Sequence, residues 1–223
     1  MVAASDNSAF GCPTVLVTGF EPFGGERVNP SWMAAQALHG RMVAGHRIIA
    51  AQLPTVFDLA ITVLRDELMR HRPVLVIGTG QAGGRAAISL ERVAINVNDA
   101  RIPDNAGAQP VDTPVAERGP VAYWSTLPIK AMREAMLGAG VAAEVSQTAG
   151  TFVCNHVFYG LMHELATHRH FKNTRGGFIH VPWLPNQGQP SMSVDRIVAA
   201  LKAGIECALL TRHDIRKEAG ALN

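Results

Sequence analysis

The sequence predicts an α/β fold: a single-domain α/β/α sandwich, with helices on both faces of a twisted, mostly parallel sheet. Three observations carry this. Short β-branched runs alternate with helical patterns along the chain, the signature of strand–helix–strand units. Two of those runs, TVLVTG and VLVIG, are apolar on both alternating faces, as strands covered from both sides must be. The chain has 223 residues, 48% hydrophobic and 17% charged, which suits one domain with a substantial core.

The elements follow in order. Residues 1–13 are small and polar and read as a flexible lead-in. Residues 14–19 form a buried strand. Asn29 caps a helix with Pro30 at its first position, and Gly40 closes it. Residues 47–53 form a second strand. Residues 55–71 form a helix whose Thr55 and Asp58 make a capping-box-like start. Residues 74–78 are another buried strand, and 87–97 a longer one with Glu91 in its middle. The Pro-, Asp- and Asn-rich loop 99–119 is too long for a mere connector. Helix 128–137, strand 141–145, helix 153–168, strand 177–181 and helix 194–212 complete the catalytic α/β domain, 14–212. Residues 213–223 read as a polar tail.

Composition excludes several classes. The net charge of +2 comes from scattered basic residues, so no nucleic-acid footprint is present. Cys12, Cys154 and Cys207 lie far apart, with no C-x-x-C pair, arguing against a disulfide framework and a structural zinc. No apolar run reaches membrane-spanning length and no basic start precedes an apolar segment. The expectation is a cytoplasmic protein without a membrane or nucleic-acid partner.

Cys154 is the first chemical candidate. A strand, 141–145, runs through a small-residue turn into helix 153–168, placing the thiol at a helix N-terminus. Unpaired N–H groups and the helix dipole there favour thiolate, a ready nucleophile beside donors for an oxyanion. Sites in α/β sheets collect beyond the carboxyl ends of strands. Four such ends carry Phe20 and Phe23, Gln81 and Arg85, Cys154, and His180; if those strands are parallel, all share one rim. His180 is the best base, because it ends a strand. His156, two residues past Cys154, points elsewhere on the helix, and His163, His168 and His170 look solvated. Glu91 can orient the imidazole; a salt bridge to Arg85 is its structural alternative, and Asp99 and Asp104 remain competitors.

Two motifs mislead. Residues 78–83 spell G-x-G-x-x-G after a strand, but the following residues are too few and too β-like for the helix that receives a pyrophosphate. His163 to His168 spells H-E-x-x-x-H, in which imidazoles five apart diverge by roughly 140°. No metal or cofactor is expected.

Taken together, the segments TGFEPFGG (18–25), GQAGGR (80–85), ERVA with Asn96 (91–96), ARIPDN (100–105), GTFVCNH (150–156) and HVP (180–182) resemble the bacterial pyroglutamyl-peptidase I, or pyrrolidone-carboxylate peptidase, family. The resemblance covers 14–212 in family order. It implies a cytoplasmic cysteine peptidase on a phosphorylase/hydrolase-like sandwich, a homo-oligomer (tetramer or dimer), acting on peptides with an N-terminal pyroglutamate. It places the nucleophile on Cys154, the base on His180, the third triad member on Glu91 and a charged oxyanion-side residue on Arg101. Phe20, Phe23, Asn29, Gln81, Phe152 and Val153 fall at or near the substrate pocket. A neutral lactam suits apolar walls with a few polar groups. Two other readings stay open: a nucleoside phosphorylase-like transferase on the same sandwich, and a non-enzymatic pyroglutamate-binding module.

Overall fold

The computed structural model describes residues 12–220; most of the lead-in and residues 221–223 of the tail lie outside them. In chain order the elements are β1 (Thr14–Phe20), α1 (Pro30–Leu38), β2 (Met42–Val43), β3 (His46–Leu53), α2 (Leu59–His71), β4 (Leu75–Gln81), β5 (Ile88–Glu91), β6 (Val93–Ile95), β7 (Ala122–Trp124), α3 (Ile129–Gly138), β8 (Ala143–Ser146), α4 (Val153–Thr167), β9 (Arg175–Val181) and α5 (Val194–Leu210). A 3₁₀ turn spans Arg169–Phe171.

The main sheet has the order β2-β3-β1-β4-β9-β5-β8, and β6 and β7 form a separate ribbon. The centre, β3-β1-β4-β9, is parallel. Strand alternation divides the core. Val15, Val17, Leu75, Ile77, Ile179 and Val181 pack under α1, α3 and α5. Leu16, Val76 and Phe178 pack under α2 and α4. Both strand faces are therefore covered, which is why these strands read as unbroken apolar runs. Gly80 and His180 are register partners, and His180 lies two residues beyond Phe178. Both therefore face α4.

Three expectations are corrected. The continuous strand 87–97 divides at Arg92. The Arg92 N–H donates to Ser146 O in the main sheet (3.0 Å), while its carbonyl accepts from Ser125 N beside the ribbon (2.9 Å). The chain changes sheets at that residue, so Glu91 ends β5 instead of sitting mid-strand. Next, α2 starts at Leu59, not at 55. Thr55 donates its hydroxyl to Glu21 O (3.1 Å), and Asp58, at φ +58°, makes no side-chain cap. Finally, the rim strands are not all parallel: β5 runs antiparallel to β9, and β8 runs with β5. Cys154 reaches the rim through the 147–152 segment instead of directly from a parallel strand end.

The described part of the tail is docked. Asp214 accepts from the N–H groups of Lys130 (3.0 Å) and Ala131 (2.9 Å), capping α3, whose own Pro128 supplies no side-chain cap. Lys217 pairs with Glu134 at 2.7 Å.

Candidate active site

Cys154 is the second residue of α4. Its sulfur lies over Gly80: a Cβ added there would stand 2.7 Å from Cys154 Sγ and 2.9 Å from Phe178 Cζ. Only a residue without a side chain lets the thiol settle onto the sheet next to the strand that carries His180. Ser89 of β5 pairs with His180 across the antiparallel junction. Glu91, two residues on, thus shares the same face and accepts from His180 Nδ1 at 2.8 Å. That bond leaves Nε2 as the ring nitrogen available for proton transfer.

The competing carboxylates do other work. Asp104 accepts from the backbone N–H groups of Phe57 (2.9 Å), Ala106 (2.9 Å) and Ala108 (2.8 Å). Asp99 is exposed. The orienting and salt-bridge readings of Glu91 both apply, because Arg85 Nη1 donates to the same Oε1 at 2.7 Å.

Burial and neighbouring charges also act on the thiol. Burial pushes the Cys154 thiol up to about 12, the negative charge of Glu91 adds to the rise, and Arg85 opposes it. This desolvation works against the partial positive charge of the helix start. A thiol pushed up in this way needs a base to take its proton when it attacks. Phe152, the N-cap of α4, has no side-chain cap bond, so no side chain competes for the N–H groups of the first turn.

The residues next to the thiol are clamps. Asn155 accepts from Ile95 N (3.0 Å) and donates to Ile95 O (2.9 Å) and Val97 O (3.0 Å). His156 is buried, with Nδ1 bonded to Asn98 Oδ1 and Nε2 accepting from Asp58 N, both at 2.9 Å. Nε2 must be the acceptor, so Nδ1 carries the proton, and burial pushes this imidazole down to about 4. Thr151 and Asp99 exchange two bonds, 2.7 and 3.0 Å, lashing the loop that carries exposed Arg101 to the turn before Cys154. His163, expected to be solvated, is half-buried against Tyr123 OH at 2.9 Å.

The other predicted pocket residues separate into lining and support. Phe23 and Phe152 are half-buried, with ring centroids 6.0 Å apart. Phe57, itself buried, backs Phe152 edge-on at 5.5 Å. Phe20 is 2% exposed and belongs to the core against Phe178. Val153 is also buried, and Asn29 caps α1, its Oδ1 accepting from Ser31 N at 3.1 Å. Gln81 ends β4, where its Oε1 accepts from Gln187 Nε2 at 3.2 Å. Gln187 Oε1 accepts from Leu184 N and its Nε2 donates to Val28 O, so the orientation of its amide is forced. Among the described residues, the NH₂ of Gln81 has no acceptor and is free to donate. Sequence reasoning missed Phe57 and Gln187. Phe57 follows β3, the one central strand end left out of the rim; Gln187 carries no local signal.

The pyroglutamyl peptidase family matches residues 13–211. The chain is 58% identical over 216 residues to the pyrrolidone-carboxylate peptidase of Cupriavidus taiwanensis, covering 95% of this chain and all of the relative. It is 58% identical to pyrrolidone-carboxylate peptidase 1 of Ralstonia nicotianae over the same shares. Among solved structures, pyroglutamyl peptidase I of Bacillus amyloliquefaciens superposes with a TM-score of 0.90 at 49% identity, covering 93% of this chain and 100% of that one. The pyrrolidone carboxyl peptidase of Thermococcus litoralis gives 0.88 at 33% identity, covering 92% and 99%.

Proposed function

Because the chain belongs to the pyroglutamyl peptidase family, we propose that it removes N-terminal pyroglutamyl residues from peptides as a cysteine peptidase, with Cys154, His180 and Glu91 as its triad. The observation that carries the assignment is the 2.8 Å bond between His180 Nδ1 and Glu91, on the sheet face where Cys154 Sγ rests over Gly80.

The chemistry follows from protonation states. As Cys154 Sγ attacks the pyroglutamyl carbonyl carbon, its proton passes to His180 Nε2 and the carbonyl π pair moves to oxygen. First-turn N–H groups of α4, with Arg101, hold that oxyanion. The C–N bond then breaks, the leaving amine takes the proton from Nε2, and a thioester remains. Water adds as His180 takes one of its protons; collapse breaks the C–S bond and returns that proton to sulfur. Glu91 accepts the Nδ1–H throughout and stabilises the imidazolium. Phe23 and Phe152, backed by Phe57, wall the lactam ring, and the free NH₂ of Gln81 suits its carbonyl.

No helix among the described residues is long and apolar enough to cross a membrane. We read the protein as cytoplasmic and homo-oligomeric, with 14–212 as the catalytic domain. The direct test is release of a chromogenic amine from its pyroglutamyl amide in phosphate-free buffer. Turnover should vanish in Cys154→Ala and be nearly absent in Cys154→Ser, whose hydroxyl is a poorer nucleophile at this site. Near-normal turnover by Cys154→Ala would remove the thiol from the mechanism; turnover that requires phosphate would favour a phosphorylase-like transferase.

A further inference from the structure

We propose that Arg85 is a positioning residue of this reaction: it anchors the Glu91 carboxylate that orients His180 and ties that carboxylate to the turn leading into Cys154. The inference rests on the function proposed above and extends it to a residue outside the triad.

Glu91 is completely buried, and among the described residues its Oε2 has no hydrogen-bond partner. Everything that holds the carboxylate converges on Oε1, which receives His180 Nδ1 at 2.8 Å and Arg85 Nη1 at 2.7 Å. A buried carboxylate is costly to keep charged unless a cation or several donors offset its lost hydration. The cation in contact with it is Arg85. A carboxylate that lost this partner would orient the imidazole less well and stabilise the imidazolium less.

The same guanidinium reaches the nucleophile's side of the site. Nη2 donates to Thr148 O at 3.2 Å and Nη1 approaches Ser146 Oγ at 3.4 Å. Ser146 Oγ in turn donates to Thr148 O (3.1 Å), and Thr148 Oγ1 accepts from Gly150 N (3.0 Å). One planar fork thus joins the end of β5 to the turn that delivers α4, a geometry that an ammonium group cannot reproduce. The base of the arm is fixed as well. A Cβ on Gly83 would stand 2.2 Å from ring atoms of Trp183, so the turn carrying Arg85 lies flush against the segment that follows β9. The position of Arg85 is therefore referred to the strand of His180.

The alternative is a merely structural pair: the Arg85 side chain is 29% exposed but its partner Glu91 is fully buried, so the pair would serve only to keep that carboxylate charged in the fold. The two readings differ in what they move. A structural pair changes activity only as far as melting temperature falls; a positioning residue changes turnover and the ionisation of Cys154 in protein that is still folded at the assay temperature.

The test uses Arg85→Met and Arg85→Lys, with Arg92→Met as control. Arg92 contacts the same turn, through Gln147 at 2.9 Å, but its side chain has no bond to Glu91. For each variant, kcat and KM on a pyroglutamyl amide are measured across pH, and iodoacetamide labelling of Cys154 is followed by peptide mass spectrometry. Melting is recorded alongside. Arg85→Met should lose about 10- to 100-fold in kcat, the size of one charge-assisted hydrogen bond, with KM nearly unchanged. Its Cys154 labelling profile should move to higher pH, because the cation opposing Glu91 is gone. Arg85→Lys should restore the labelling profile while regaining only part of kcat, and it also serves if the Met variant does not fold. Arg92→Met should behave as wild type. Wild-type kcat and labelling in Arg85→Met would overturn the proposal, as would equal losses in the Arg85 and Arg92 variants that follow melting temperature. A wild-type protein inert toward every pyroglutamyl amide would sink the functional reading instead, and the labelling series would still decide whether Arg85 acts on Cys154.

Discussion

Phe20 ends β1 and Phe23 lies three residues on, but the two differ in burial. Phe20 is 2% exposed with its ring 6.4 Å from Phe178, whereas Phe23 is half-buried and faces Phe152 at 6.0 Å. Phe20→Ala should therefore act on stability, lowering it by about 3–5 kcal/mol as for other buried aromatics. Phe23→Ala should leave melting nearly unchanged and lower kcat/KM on pyroglutamyl amides. Denaturant titration and kinetics on both variants separate the two; equal melting losses would erase the distinction. Because the wall is uncharged and Gln81 keeps a donor free, discrimination should rest on the lactam carbonyl. A prolyl amide, lacking that carbonyl and carrying a charged amine, should be a very poor substrate. Comparable cleavage of both would contradict this account of the pocket. His180 and Glu91 should also act unequally: His180→Ala abolishes turnover, while Glu91→Gln folds and keeps residual activity, since only His180 moves protons.

Among the elements, β4 and α4 meet at a contact with no slack. Gly80→Ala would drive its methyl into the Cys154 sulfur and the Phe178 ring, at 2.7 and 2.9 Å. The expected result is a loss of turnover well beyond the loss of stability, which overpacking sets at about 1–3 kcal/mol. A fully active Gly80→Ala enzyme would mean the thiol does not rest on the sheet. At the other end of the chain, Asp214 caps α3 from the tail, 84 residues away from Lys130 in sequence. Asp214→Ala should cost about 0.5–2 kcal/mol of stability and leave kcat alone. Cap and site lie on separate elements, α3 and α4.

Across the whole molecule, the buried His156 and the partly buried Cys154 each make stability depend on pH. His156 is pushed from 6.5 down to about 4 by burial, so in that window the unfolded chain binds the proton that the folded one refuses. Stability is fully present above about pH 6.5 and falls as pH drops toward 4, by about 3 kcal/mol from this group. Cys154 sets the opposite limit. Its thiol is raised from 9.0 to about 12, first by burial and then by Glu91, so the folded state keeps a proton that the unfolded chain releases. Its contribution is complete below about pH 9 and is lost as pH rises toward 12, by at most about 4 kcal/mol. Chemical denaturation across pH should show Cys154→Ala losing less stability than wild type above pH 9. Parallel curves would mean the thiol is not desolvated in the fold.

The sequence alone determined the sandwich, the cap at Asn29, and Cys154 and His180 at element boundaries. Those signals are local: apolar periodicity, β-branched runs, and Pro and Asn at a helix start all act within a few residues. The family motifs then singled out Glu91 from Asp99 and Asp104, which spacing could not. Tertiary structure decided what depends on partners distant in the chain. Strand direction across β9 and β5 set how Cys154 and Glu91 arrive, and the change of sheet at Arg92 ended β5 at the carboxylate. Phe57, Gln187 and Arg85 acquire roles only through neighbours up to 161 residues away. The surroundings of the Cys154 sulfur belong there too: a helix start favours thiolate wherever it occurs, but only packing determines how much water remains around the sulfur, and here burial and Glu91 push the thiol up against that preference.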